Sequence, residues 1–168
     1  MMCSPPATRR VPVLRVGDLT IWDSLAICEY ANEVWLGGAG WPAGAETRAV
    51  VRSVSAEMHS GFQHLRGQMP LNCRLRHTNF VPSPEAKRDI ERIGAVWRDC
   101  RGRYAAAGPF LFGAFSIADT MYAPVALRFV SYDIPLGPVE RTYVDALLAL
   151  PALSEWLAGA DAEAARRS

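Results

Sequence analysis

Residues 11–33, VPVLRVGDLTIWDSLAICEYANE, decide how the start of this chain folds. Two short apolar runs in this stretch flank a Gly17-Asp18 pair, and short apolar runs separated by such a pair are typical of a β-hairpin. The pattern predicts strands over Val11–Leu14 and Leu19–Trp22, joined by a tight turn.

After the second strand, the spacing of apolar residues changes from the period of a strand to that of a helix. The helix is expected to begin at Asp23-Ser24, with Ser24 as its N-cap, and to end before Gly37-Gly38. Free N–H groups and the helix dipole favour an anion at such an end. An acid and a hydroxyl at this place therefore predict a binding site for a small zwitterion.

Composition and charge exclude several classes of protein. Half of the 168 residues are hydrophobic and 21% are charged, as in ordinary globular proteins. The net charge of +1 argues against electrostatic binding of nucleic acid. No apolar run is long enough to span a membrane, and the first ten residues lack the apolar centre of a secretory signal. We expect a cytoplasmic protein without a nucleic-acid or membrane partner.

The four cysteines, at positions 3, 28, 73 and 100, are widely spaced and form no C-x-x-C pair. This spacing predicts neither a metal site nor a redox dithiol. Cys28 and Cys100 fall on apolar helical stripes, so both are expected to be buried.

A glycine- and proline-rich stretch, GGAGWPAGA at 37–45, is the clearest boundary in the chain. It separates a β-hairpin plus helix at 1–36 from a helical part at 46–168. The predicted fold class is therefore α+β, with a small first domain, a linker and an all-helical bundle.

Within the helical part, a long helix is predicted over 46–66, with one apolar face formed by Val50, Val54, Met58, Phe62 and Leu65. Ser83-Pro84-Glu85 combines an N-cap hydroxyl, a proline at the first helical position and an acid, and predicts a second long helix that ends at Gly108-Pro109. Two shorter helices are expected near 139–150 and 153–165.

Between them lies FSIADTMYAPVALRFV, in which Ser116 and Asp119 stand three residues apart at the start of a very apolar helix. This spacing predicts a capping box with Asp in place of Glu. A helix that is apolar along most of its length belongs at the centre of a bundle. Both polar residues are expected to be structural.

This order of parts, and the residues just quoted, resemble the cytosolic glutathione transferases. VPVL resembles the family's third strand, and the resemblance implies that Pro12 is cis and that the backbone of Val11 pairs with the cysteinyl amide of glutathione. WDSLAICEY resembles the segment in which Ser24 would bind the γ-glutamyl carboxylate and Asp23 the amino group. FSIADTMYAP resembles the buried capping motif of the family's C-terminal domain. The small first domain would then be part of a thioredoxin-like domain.

A narrower resemblance lies in EMHSGF, at 57–62, which is similar to a segment of the bacterial beta-class enzymes. It implies that Glu57 lies near glutathione and that His59 has a role at the substrate site. Ser60 stands where those enzymes have a lysine, so one positive charge beside the thiolate is absent. Arg10 occupies the position at which relatives contact the glycyl carboxylate.

The chain also departs from the family pattern. Members begin with a strand, a helix and a second strand that carry the Ser, Tyr or Cys which activates the thiol. Residues 4–12 resemble the loop before the third strand, so the first elements and the catalytic residue are expected to be missing from this chain. Cys3 and Ser4 lie in the wrong element to replace it.

Three functions follow from this resemblance. The first is a transferase that, in its full-length form, conjugates the glutathione thiol to an apolar electrophile. Glutathione is then the co-substrate, no metal is expected, and the expected assembly is a homodimer. The second is a catalytically inactive glutathione-binding or structural remnant. The third is a glutathione-dependent isomerase or lyase. Three apolar residues could either line a pocket for the electrophile or pack in the core, and packing in the core is favoured: Met69, Trp97 and Tyr104.

The missing first strand generates a prediction. A strand at 11–14 without its neighbour exposes an unpaired apolar edge, which favours association between chains. The 168-residue chain, expressed alone, is expected to aggregate or to dimerise abnormally in size-exclusion chromatography and to show negligible conjugation of glutathione. Normal turnover of an aromatic electrophile by a monodisperse preparation would contradict this prediction.

Overall fold

A computed structural model describes residues 11–166 of the chain. It begins with an antiparallel hairpin of β1 (Val13–Val16) and β2 (Leu19–Trp22), in which Val13 pairs with Trp22 and Val16 with Leu19. The predicted turn is confirmed, and its Gly17 adopts a φ of +57°, which costs glycine little. The first strand begins two residues later than predicted, because Pro12 has no N–H to donate to a ladder.

Helix α1 (Ser24–Val34) follows the hairpin directly and ends before the paired glycines, as predicted. The segment that comes next is held against α1 by two side chains. Trp41 donates from Nε1 to Glu29 at 2.8 Å, and the buried Asn32 accepts from the N–H of Gly40 at 2.7 Å. These contacts fix how the chain enters the helical part.

The long helix predicted over 46–66 is in fact two helices, α2 (Ala45–Ser60) and α3 (Gln63–Gln68). Gly61 and Phe62 break it, and Phe62 adopts a left-handed conformation with φ of +59°. A Cβ at Gly61 would lie only 2.7 Å from the carbonyl oxygen of Glu57, so the break requires glycine. The apolar face of α2 also begins one residue later than predicted, because Val51 is buried and Val50 is exposed.

Four further α-helices and one short 3-10 helix (Ala105–Ala107) complete the described chain. The α-helices are α4 (Pro84–Tyr104), α5 (Ile117–Ser131), α6 (Pro138–Leu148) and α7 (Pro151–Ala165). As predicted, Ser83 caps α4 by accepting from the N–H of Ala86. The last two helices begin earlier than predicted, each with a proline at its first position, where no donor is needed. No helix between residues 11 and 166 is long and apolar enough to cross a membrane.

The core lies in the helical part, where α5 packs against α2 and α6, and α4 packs against α3 and α6. Trp97 of α4 is fully buried at its centre and meets the rings of Tyr122, Phe129 and Tyr143. Met69 is fully buried as well. Trp97 and Met69 are therefore core residues, as the sequence favours. Helix α5 is the central helix that its composition predicts.

Asp119, at the start of α5, is completely buried and is surrounded by donors. Its Oδ2 accepts from the N–H of Ser116 at 2.8 Å and from the Ser116 hydroxyl at 2.9 Å. Its Oδ1 accepts from the N–H of Leu111 at 3.0 Å and from the hydroxyl of Tyr143 at 3.1 Å. The predicted capping role is confirmed, and the carboxylate also ties the preceding loop and α6 to the central helix.

Replacing this carboxylate tests its structural role. Asp119→Ala leaves several buried donors without a partner, and each such group costs about 1 to 3 kcal/mol. We expect the free energy of unfolding, measured with urea, to fall by roughly 3 kcal/mol or more. Asp99→Ala, on the exposed face of α4, is the matched control and should change it by about 0.5 kcal/mol or less. Equal losses in the two variants would contradict the assigned role.

Candidate functional site

The N-terminus of α1 is capped by Asp23 rather than by the predicted Ser24. The Oδ1 atom of Asp23 accepts from the N–H groups of Leu25 at 2.9 Å and Ala26 at 3.3 Å. Asp23 has a φ of +78°, unusual for a residue other than glycine, and this turns its carboxylate over the helix end. Ser24 is therefore the first helical residue. Neither its N–H nor its hydroxyl bonds to another described residue, so both remain available at the positive end of the helix.

The second oxygen of Asp23 reaches the helical domain. Its Oδ2 lies 2.9 Å from Nε2 of His59, near the C-terminus of α2. Both side chains are partly exposed, at 43% for Asp23 and 34% for His59. One carboxylate thus caps α1 and pairs with a side chain of α2.

The backbone ahead of β1 is exposed beside this helix end. The Val11-Pro12 peptide bond is cis, as the family resemblance implies, and Val11 is 93% exposed. Its backbone groups make no hydrogen bond with any other residue of the described chain. A ligand with an extended backbone can therefore pair with them.

These features line one cleft of about 750 Å³, a volume within the usual range of ligand sites. One wall comes from the hairpin and the start of α1, and the other from the end of α2 and from α3. The lining residues are Val11, Pro12, Trp22, Asp23, Ser24, His59, Gln63 and Arg66. The structure thus brings together four of the residues that the sequence predicts to bind glutathione: Val11, Asp23, Ser24 and His59.

Two other predicted site residues are not among those that line the cleft. Glu57 forms a two-pronged ion pair with Arg92 of α4, at 2.7 and 2.9 Å, and its carboxylate is engaged there. Arg10 lies outside the described residues, as do Cys3 and Ser4. The roles of Glu57 and Arg10 therefore stay predictions from the family resemblance alone.

Three lining residues, Trp22, Gln63 and Arg66, were not predicted as site residues. Gln63 and Arg66 follow the break at Gly61, and they lie four and seven residues after His59, the spacing of residues that share one helical face. This spacing from His59 is the signal that the sequence offers. The apolar spacing of Phe62 and Leu65 conceals this break, since it continues the helical period.

Cys28 and Cys100 are not activated thiols, because the pKa of each is raised. Burial raises the pKa of Cys100 to about 11, and Cys100 lies in the core as predicted. Cys28 is only partly buried, contrary to prediction, because α1 packs on the rest of the molecule along one side. Its burial, and to a smaller extent the charge of Glu29, raise the pKa of Cys28 as well. No group of three or more metal-ligating side chains occurs among residues 11–166.

Comparison with known proteins shows which proteins this arrangement is similar to. Residues 82–159 match the family model described as glutathione S-transferase, C-terminal domain. The chain is 27% identical over 148 residues to maleylacetoacetate isomerase of Rattus norvegicus, a match that covers 86% of this chain and 66% of that relative.

Solved structures agree in fold. A glutathione transferase homolog from Burkholderia gl BGR1, with bound glutathione, is 29% identical with a TM-score of 0.66, over 90% of this chain and 73% of that one. Maleyl pyruvate isomerase, a bacterial enzyme of the zeta class, is 20% identical with a TM-score of 0.67, over 87% and 72%. The chain has the fold of the glutathione S-transferases, and its residues 82–159 match the C-terminal domain of that family. The narrower likeness to the beta class stays a prediction.

The position of Glu57 generates a prediction. Its ion pair with Arg92 is partly exposed, and such pairs contribute about 1 kcal/mol or less. Glu57→Gln is expected to leave the Kd for glutathione, measured by calorimetry, within about twofold of the original, because Glu57 does not line the cleft and its carboxylate is engaged by Arg92. A loss of tenfold or more would place Glu57 at the ligand, as the sequence resemblance implies.

Proposed function

We propose that this chain binds glutathione in the cleft between the hairpin and α2–α3, and that the protein conjugates the glutathione thiol to an electrophile. The observation that carries the proposal is the convergence of Ser24, Asp23 and the exposed backbone of Val11 at one helix end. The Burkholderia homolog, at 29% identity, contains bound glutathione, which supports the same ligand here.

The donors and acceptors of the cleft fit the two ends of a γ-glutamyl group. The free N–H and hydroxyl of Ser24 would bind its carboxylate, with support from the helix dipole. Asp23 would accept from its ammonium group through Oδ2, which His59 also contacts. The backbone of Val11 would pair with the cysteinyl unit, which places the thiol farther along the cleft.

In a transferase, the thiolate attacks an electrophilic carbon and forms a thioether, so the thiol must first lose its proton. Among the described residues lining the cleft, Ser24 is the single hydroxyl, and it is assigned to the carboxylate. We therefore assign thiol activation to no residue between 11 and 166. His59 is proposed to orient the ligand through Asp23 or to contact the second substrate.

A second candidate is a glutathione-dependent isomerase. The observation in its favour is the 27% identity with a protein named maleylacetoacetate isomerase. In such a reaction the thiolate adds to a double bond, rotation follows, and the thiolate leaves, so glutathione is regenerated. Loss of a cis-enoate by absorbance, without loss of free thiol, would identify the isomerase, whereas equal consumption of thiol would identify the transferase.

The test of binding is a substitution that separates charge from helix capping. Asp23→Asn preserves the cap, because Asn caps helices as well as Asp does. It removes the charge that faces the ligand's ammonium group, so we expect the Kd for glutathione to rise about tenfold, as when one charge-assisted hydrogen bond is lost. Isothermal titration calorimetry measures this change.

Two controls make the test specific. Asp18→Asn, in the exposed hairpin turn, should leave the Kd unchanged. The analogue glutaryl-cysteinyl-glycine lacks the amino group, and its affinity should be nearly equal for the original chain and for Asp23→Asn. A full tenfold loss with this analogue would show that Asp23 acts on the structure rather than on the amino group.

A further inference from the structure

Another cavity lies at the C-terminal end of α1, opposite the end that carries Asp23. It shares no lining residue with the cleft proposed to bind glutathione. Its volume is about 440 Å³, within the usual range of ligand sites. Its walls come from the end of α1, from the glycine-rich segment that follows, and from the first half of α2.

Asn32, in the last turn of α1, brings an unused amide group to this cavity. The residue is only 5% exposed and is one of those that line the cavity. Its Oδ1 accepts from the N–H of Gly40 at 2.7 Å, which fixes the orientation of the amide. The two donors of its Nδ2 then bond to no described residue. A polar group of a buried residue that lacks a protein partner indicates a bound ion or water beside it.

Two arginines one helical turn apart, Arg48 and Arg52, form the part of the wall that α2 contributes. Arg48 donates from Nη1 to the carbonyl oxygens of Pro42 at 3.0 Å and Ala43 at 2.8 Å, and its Nε and Nη2 bond to no described residue. The guanidinium of Arg52 lies over the ring of Trp41, 5.4 Å from its centroid. Both cationic groups are therefore oriented before any ligand binds.

The wall of this cavity carries donors and positive charge, and no Asp or Glu is among the residues that line it. Glu29 lies outside the cavity, with its Oε1 3.9 Å from Nε of Arg52, which is too far for a hydrogen bond. The other oxygen of Glu29 accepts from Nε1 of Trp41 at 2.8 Å. One engaged carboxylate thus stands against two guanidinium groups and a free amide, and this balance favours an anion in the cavity.

We infer that Asn32, Arg48 and Arg52 form a site for a phosphate group, separate from the glutathione cleft. Guanidinium groups match the geometry of phosphate oxygens and bind them through charge-assisted hydrogen bonds. A phosphate offers three or four acceptor oxygens, so it can accept from all three side chains at once, whereas a carboxylate has only two. The bound group would bridge the end of α1 and the start of α2.

The test is an NMR titration of the ¹⁵N-labelled chain with inorganic phosphate at constant pH and ionic strength. Phosphate is expected to shift the side-chain amide of Asn32 and the Nε–H signals of Arg48 and Arg52, all with one common Kd. The signal of Arg103, which is exposed and paired with Asp99 on α4, should not move. Equal shifts at Arg103, or no shift at Asn32, would contradict the inference.

A substitution tests the contribution of charge. Arg52→Gln is expected to raise the Kd for phosphate about tenfold, as when one charge-assisted hydrogen bond is lost. Arg88→Gln, on the exposed face of α4, is the matched control and should leave this Kd unchanged. An unchanged Kd in Arg52→Gln would overturn the site. The Kd for glutathione should stay the same in both variants, so the proposed function is tested separately.

Arg52 also contacts Trp41, so the melting temperature of Arg52→Gln is measured first. The side chain of Arg52 is 55% exposed, and we expect the variant to fold. If it does not fold, the titration of the original chain decides, because the Asn32 amide reports binding without any substitution.

Phenyl phosphate distinguishes a phosphate ester from the free ion. Binding about tenfold tighter than that of inorganic phosphate would identify an ester as the ligand, and equal or weaker binding would identify free phosphate. Absence of binding by both compounds would overturn the site. Benzoate is the control for other anions, and equal affinity for benzoate and phenyl phosphate would contradict the assignment to a phosphate group.

Discussion

The cleft depends on one carboxylate that serves two elements. Asp23 caps α1 through one oxygen and pairs with His59 through the other at 2.9 Å. Its unusual φ of +78° is retained because both partners hold it. Without this residue, the helix end that offers the N–H and hydroxyl of Ser24 would lose both its cap and its link to α2. The hairpin and α1 have little core of their own, so this link positions them together with the contacts of Glu29 and Asn32 to the segment that follows α1.

The helical domain supplies the rigidity that the hairpin lacks. Asp119 is buried under four hydrogen bonds at the start of α5, and Trp97 packs three aromatic rings around that helix. From this base, the end of α2 and α3 together form one wall of the cleft. The wall that carries His59 and Arg66 is therefore set by a core with no chemical role, whereas the hairpin wall provides exposed backbone and a helix end.

Features set by neighbouring residues could be predicted from the sequence, and features set by distant ones could not. The turn at Gly17, the caps at Ser83 and Asp119, and the acid-hydroxyl pair at 23–24 depend on a few adjacent residues. The exact cap was mistaken because Asp and Ser cap helices about equally well. The pairing of Glu57 with Arg92 joins residues 35 positions apart. The break between α2 and α3 could not be predicted, because the apolar spacing of Phe62 and Leu65 continues the helical period.

The central claim is that glutathione occupies the cleft at the start of α1. An NMR titration of the ¹⁵N-labelled chain with S-methylglutathione tests it most directly, because each amide reports its own surroundings. The account predicts that the largest shifts occur at residues 11, 24–26 and 59–66, on both walls of the cleft. No shifts, or shifts confined to the groove between α4 and residues 134–140, would contradict it.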